Sequence, residues 1–148
     1  MRDVLLDTSF ILPTLGVEVK EVGREEIEAM KAVSEKARFW CSQISFVEIL
    51  GLLAKSRNVD KHTVSVGIRS LLESGRYGWV SPTSEALRLA LELRIKGHKD
   101  NIDNILYSTA CESKMLFLSL DSELKSFLRQ SGYDASIVIG IRDLSKMV

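Results

Sequence analysis

Val4-Leu5-Leu6-Asp7-Thr8-Ser9 decides the fold: three apolar residues in a row end on an aspartate, and a helix-forming segment follows. An apolar run without alternation suits a strand buried on both faces, as in a parallel sheet. The signature returns at Phe39-Trp40-Cys41, at Met115-Leu116-Phe117-Leu118 and at Ile137-Val138-Ile139. Gly78-Trp79-Val80 reads as an edge strand or as a turn into the next helix.

Helix-length segments separate these runs. Ile27, Met30, Val33 and Ala37 recur at helical spacing from Arg24 onward. Ser45 to Ser56 opens on a serine, Asp60 to Glu73 has aspartate in the N-cap position, and Ser81-Pro82 places proline where a helix begins. Two more helices are expected from Ile102 to Glu112 and from Ser122 to Gln130, the last closed by Ser131-Gly132. Alternating strands and helices with right-handed crossovers imply an α/β three-layer sandwich: a mostly parallel central sheet of four or five strands flanked by helices. With 148 residues, no repeat and no linker, residues 1–148 read as a single domain.

Composition narrows the class without naming a partner. Hydrophobic residues make up 45% and charged residues 27%, inside the globular range. Lysine plus arginine balances aspartate plus glutamate at 20 each, so any grip on nucleic acid must be local. Lys55, Arg57, Arg69, Arg76, Lys96 and Lys99 could contact phosphate, and Tyr77 and Trp79 could stack on bases, although a solvated face and edge packing explain them as well. Cys41 and Cys111 are far apart and lack metal-like spacing, which suits reduced thiols in the cytoplasm. No segment reaches a membrane span, and the apolar run after Met1-Arg2-Asp3 is too short for a signal peptide. His62 and His98 read as isolated surface residues, and no Gly-rich phosphate loop is present.

In a parallel sheet, ligands bind beyond the carboxyl ends of the strands. Asp7 and Asp121 both follow an apolar strand there, and each also fits a helix N-cap. Glu48 sits in Ser45-Phe46-Val47-Glu48, which fits a capping box, and Asp100-Asn101-Ile102-Asp103 repeats the ambiguity. Capping accounts for any one of these acids. It does not account for several falling where the sheet would gather them. Converging carboxylates would demand a divalent cation; hard oxygen ligands select Mg²⁺ or Mn²⁺, one or two ions, which suit phosphodiester hydrolysis.

The pattern resembles the PIN domain family, particularly its VapC-like toxin ribonucleases. Leu5-Leu6-Asp7-Thr8-Ser9-Phe10-Ile11 is similar to the family's first strand and its aspartate. Ser42-Gln43-Ile44-Ser45-Phe46-Val47-Glu48 resembles the second block, with hydroxyl residues three and six places before the glutamate. Asp103-Asn104-Ile105-Leu106-Tyr107-Ser108-Thr109-Ala110 resembles the third, and Leu118-Ser119-Leu120-Asp121 the fourth, with Ser119 where the family usually carries threonine. The resemblance implies Asp7, Glu48, Asp103 and Asp121 as metal ligands, Ser9 as a catalytic helper, and cleavage of single-stranded RNA. It further implies a protein antitoxin and self-association.

Asp100 stands three residues before Asp103, so either could be the third-block ligand. The stretch from Thr14 to Arg38 is longer than in the simplest members and suggests an elaborated helix. A catalytically silent PIN-like module binding RNA or protein is the chief alternative, disfavoured by the intact acids. A phosphatase or phosphoacceptor domain is a further one, disfavoured by Ser9 and by Asp121 ending the late strand.

Overall fold

The computed structural model describes residues 1–148. Five strands, β1 (Arg2–Leu6), β2 (Ala37–Cys41), β3 (Gly78–Trp79), β4 (Leu116–Leu118) and β5 (Val138–Ile139), pair in the order β3-β2-β1-β4-β5. Every pairing is parallel, and Gly78-Trp79 forms the short edge strand. Gly78 is dictated by its neighbour, because a Cβ there would run into the Trp40 ring across the strand pair.

The apolar runs alternate between two cores. Val4 and Leu6 of β1, Leu116 and Leu118 of β4, and Ile139 of β5 face one. Leu5, Phe117 and Val138 face the other. A sheet covered on both sides needs apolar residues at every position, which is why the strands carry no polar alternation. Burying each such side chain contributes about 1.5–3 kcal/mol.

The first core is closed by α1 (Thr8–Ile11), the 3-10 turn Leu12–Leu15, α3 (Ser45–Lys55), α4 (Lys61–Glu73) and α8 (Ile141–Met147). The second is closed by α5 (Ser84–Ile95), α6 (Asn101–Glu112) and α7 (Ser122–Gln130). The elaborated stretch supplies α2 (Arg24–Ala32), which buries no residue fully and rests Ile27 and Met30 against the first core. That helix stops before Val33 and Ala37, and Ala37 belongs to β2.

Two helix starts differ from the sequence reading. Helix α5 begins at Ser84 rather than at Ser81-Pro82, because Thr83 caps it by accepting from the Ala86 amide at 3.1 Å. The capping box at Ser45 does not form: α3 has Ile44 at its N-cap with no side-chain hydrogen bond. Glu48 is therefore not spent on its own helix.

The chain builds β2 and β3 on one side of β1, then crosses through α5 and α6 to place β4 on the other. Strand order reverses between β1 and β4, and the crevice beyond their carboxyl ends is where this topology opens a ligand site. No helix is long and apolar enough to cross a membrane.

Candidate active site

Asp7, Ser9, Glu21, Glu48, Asp100, Asp103, Leu120 and Asp121 line one open cleft of about 360 Å³ at that reversal point. The four acids singled out at the strand ends and helix starts, together with Asp100 and Ser9, thus come together. A larger cavity of about 590 Å³, against Met1, Arg38 and Tyr77 where β1 and β2 begin, contains none of them.

Each carboxylate is aimed by local structure. Asp7 follows β1 and caps α1, one oxygen accepting from the Thr8 amide at 2.7 Å while the other accepts from Ser119 Oγ at 2.7 Å. Ser119 follows β4, and its Oγ also accepts from the Asp121 amide at 3.1 Å. One hydroxyl thereby ties the ends of two adjacent strands. Asp121 caps α7 through the Leu124 amide at 3.0 Å, and Asp100 caps α6 through the Asp103 amide at 3.0 Å.

Capping and cleft placement are therefore compatible. A carboxylate has two oxygens and about four lone-pair sites, so a cap uses only part of it. At α6 the two acids divide: Asp100 caps and is exposed, while Asp103, one turn in, is buried at 6% exposure.

No lysine or arginine answers this charge; the ion pairs join only Arg24 to Glu28 and Arg88 to Glu85 and Glu92. The consequence is a set of displaced proton affinities. Burial, then the charges of Asp121 and Asp100, outweighs the bonds from Ser119 and Thr8 and raises Asp7. Glu48 is raised by burial and by Asp7 and Asp100. The Thr8 hydroxyl tempers that rise, yet it is buried and its geometry closes no hydrogen bond. Asp103 is pushed up to about 9 by burial, by the hydrogen bond it shares with Asp121, and by the surrounding charges. Asp121 falls although burial opposes it, because Asp103 and the Leu124 and Glu123 amides donate to it and His98 stands near. The two neighbouring acids are thus displaced in opposite directions, Asp103 up and Asp121 down.

Two residues were not legible as site residues. Glu21 reaches the cleft from the turn closed by the Val19–Val22 bridge, inside the stretch whose role the sequence leaves open. His98 is half-buried rather than a surface residue, and its ring nitrogen lies within 4.8 Å of carboxylate oxygens of Asp103 and Asp121. Tyr77 and Trp79 pack against the first core; Trp79 stacks on Phe46 at 5.8 Å and donates to the Leu71 carbonyl. Both cysteines are free, Cys41 buried and Cys111 partly so.

The PIN domain family profile matches residues 4–128, which is most of the chain. The chain belongs to the PIN domain family. Membership places it among nucleases that generally use divalent metal. This PIN domain superposes on a chain of VapBC2 from Rickettsia felis, crystallised with a DNA fragment from the promoter, with a TM-score of 0.68 at 13% identity, covering 93% of this chain and 98% of that one. It is similar to a chain of VapBC from Salmonella typhimurium (TM-score 0.63, 15% identity, 95% and 99% covered). FitAcB from Neisseria gonorrhoeae gives a TM-score of 0.59 at 15% identity, with 95% and 99% covered. At these identities the structures speak to the PIN fold alone. No curated protein matches the chain.

Proposed function

We propose that this PIN domain is a divalent-metal-dependent endoribonuclease that hydrolyses phosphodiester bonds of single-stranded RNA. We further assign it as the toxin of a toxin-antitoxin pair, acting in the cytoplasm as one domain over residues 1–148. The observation that carries the reading is the cleft of converging carboxylates that no lysine or arginine pairs with.

Mg²⁺ or Mn²⁺, as one or two ions, fits the donor set. Hard oxygens line the cleft, the proton affinities of Asp7, Glu48 and Asp103 are raised by burial first and by neighbouring acids second, both of which a cation relieves, and the unpartnered Thr8 hydroxyl is a spare polar atom beside Glu48. When bound, such an ion activates water for in-line attack and neutralises charge gathering on the phosphorus.

Asp7, Glu48, Asp103 and Asp121 are assigned as the ligands. Asp100 serves α6 first and offers its second oxygen at the rim. Asp7 enters the reaction already oriented by Ser119 and the Thr8 amide, so little reorganisation is left for the transition state. Ser9 offers a hydroxyl at the cleft wall to a phosphate oxygen. Beside a cation held here, Asp103 would favour its charged form, and its proton would pass to solvent.

Exposed apolar side chains favour protein partners. Val47 and Leu50 on α3, and Leu87, Leu91 and Ile95 on α5, stand in solvent at helical spacing. Such patches mark interaction surfaces. A similar structure from Mycobacterium tuberculosis is described as a member of the VapBC family of toxin-antitoxin systems, which supports an antitoxin on one of these faces. Self-association is assigned to the other.

The test is cleavage of unstructured and structured RNA with Mn²⁺ or Mg²⁺, beside Asp7→Asn and Asp121→Asn. Metal-dependent cutting of the unstructured RNA by the parent alone is expected. Equal cutting by all three proteins contradicts the assignment.

A further inference from the structure

His98 sits between α5 and α6, and Asn104 grips it twice. Asn104 is buried at 1% exposure; its Nδ2 donates to the His98 carbonyl at 2.8 Å, and its Oδ1 lies 2.7 Å from His98 Nδ1. Only the amide nitrogen can donate to a carbonyl, so the oxygen must face the ring and Nδ1 must carry the proton. The imidazole also tilts against Phe127, with ring centroids 5.1 Å apart. Position and tautomer are both set, and in the neutral ring Nε2 keeps an open lone pair.

A ring nitrogen of His98 comes near two acids without bonding to them. Donor atoms of His98, Asp103 and Asp121 lie within 4.8 Å of one another, yet no ion pair shorter than 4.0 Å joins His98 to either acid. That gap is too wide for a hydrogen bond. One ion would draw the three groups in by about 1 Å, since ligands about 2.1–2.2 Å from a shared metal stand about 3 Å apart when adjacent and about 4.3 Å apart when opposite. A histidine that ligates metal almost always commits its other nitrogen to an acceptor, which is the service Asn104 performs.

We propose that His98 donates its Nε2 lone pair to a divalent ion shared with Asp103 and Asp121, giving that end of the cleft a nitrogen ligand and a preference for Mn²⁺ over Mg²⁺. The proposal rests on the cleft being a divalent-ion site. The preference follows from donor chemistry, since imidazole suits transition-metal ions whereas Mg²⁺ favours oxygen and keeps its waters. Asn104 is then a positioning residue.

Electron spin echo envelope modulation of the full chain loaded with Mn²⁺ reads bound imidazole ¹⁴N directly, and the chain has 2 histidines. His62 is exposed near the start of α4 and does not line the cleft, so it supplies the control. Imidazole modulation is expected in the parent and in His62→Ala, and its loss in His98→Gln, together with at least a tenfold drop in Mn²⁺ affinity and a smaller drop for Mg²⁺. Bound Mn²⁺ without imidazole modulation in the parent, or modulation lost in His62→Ala, overturns the His98 assignment and leaves the acidic site standing. Failure of the parent to bind Mn²⁺ removes the divalent-ion reading and this one with it. Should His98→Gln not fold, the parent and His62→Ala still decide.

Discussion

Ser119 donates its hydroxyl proton to Asp7 across 2.7 Å, joining the ends of β4 and β1 at the point where strand order reverses. The bond is buried and holds Asp7 below the proton affinity that burial alone would set. Hydrogen bonds to charged groups contribute about 1.5–3 kcal/mol. Ser119→Ala is expected to lower stability by about that much with metal bound, and to weaken Mn²⁺ binding; Ser119→Thr should keep both. Denaturant melts with metal and a binding titration check this.

Asp103→Asn separates stability from function. The side chain holds its proton at neutral pH in the metal-free fold, and an amide copies the shape of a protonated carboxyl. Unfolding of the metal-free variant should stay within about 1 kcal/mol of the parent, because one neutral side chain replaces another of nearly the same shape. RNA cleavage should fall a hundredfold or more, on the order of losses seen when transition-state charge stabilisation is removed. A large loss of stability in Asp103→Asn runs against the account.

Asp100→Asn tests the division of labour at α6. Asparagine caps as well as aspartate, so stability should be unchanged, and cleavage should fall far less than in Asp103→Asn. Asp100→Ala should cost about 1 kcal/mol through the lost cap. Equal activity losses for the two Asn variants would make both acids ligands.

Metal-free stability should decline with rising pH. Asp7, Glu48 and Asp103 hold their protons more tightly folded than unfolded. Between the unfolded value near 4 and the raised folded values, about 9 for Asp103, the native state binds more protons than the unfolded chain, so stability present at low pH is lost as pH rises through that window. Asp60, Asp121 and Asp134 are shifted the other way, and their contribution is already complete above about pH 4, so they do not mask the trend. Thermal melts with chelator from about pH 5 to 8 should show a falling midpoint, and saturating Mn²⁺ should flatten or reverse it. A flat metal-free profile contradicts the cluster's energetics.

Leu91→Glu with Ile95→Glu tests the α5 stripe. Both residues are exposed, so the monomer should fold unchanged, while sedimentation should show weaker self-association or antitoxin binding.

Much of this was legible because buried parallel strands leave a plain trace: the four apolar runs became β1, β2, β4 and β5, and even Gly78-Trp79 paired. Capping chemistry located most helices for the same reason. It also disguised the site, because Asp7, Asp100 and Asp121 do cap, and only the assembled sheet shows that the lone pairs they keep converge on one cleft. Glu48 looked capped by Ser45, yet α3 starts so that the box never closes. His98 and Glu21 left no local signal. One depends on a side-chain clamp six residues on, and the other on a turn within a stretch with no strong periodicity.

The most direct measurement is titration of Mn²⁺ into the metal-free chain at neutral pH, followed by electron paramagnetic resonance of the free ion, for the parent and for Asp7→Asn. Saturable binding in the parent, with protons released as the ion enters, and its loss in Asp7→Asn is the predicted result. Absent binding, or binding that Asp7→Asn leaves untouched, would contradict the claim that these carboxylates form one metal site.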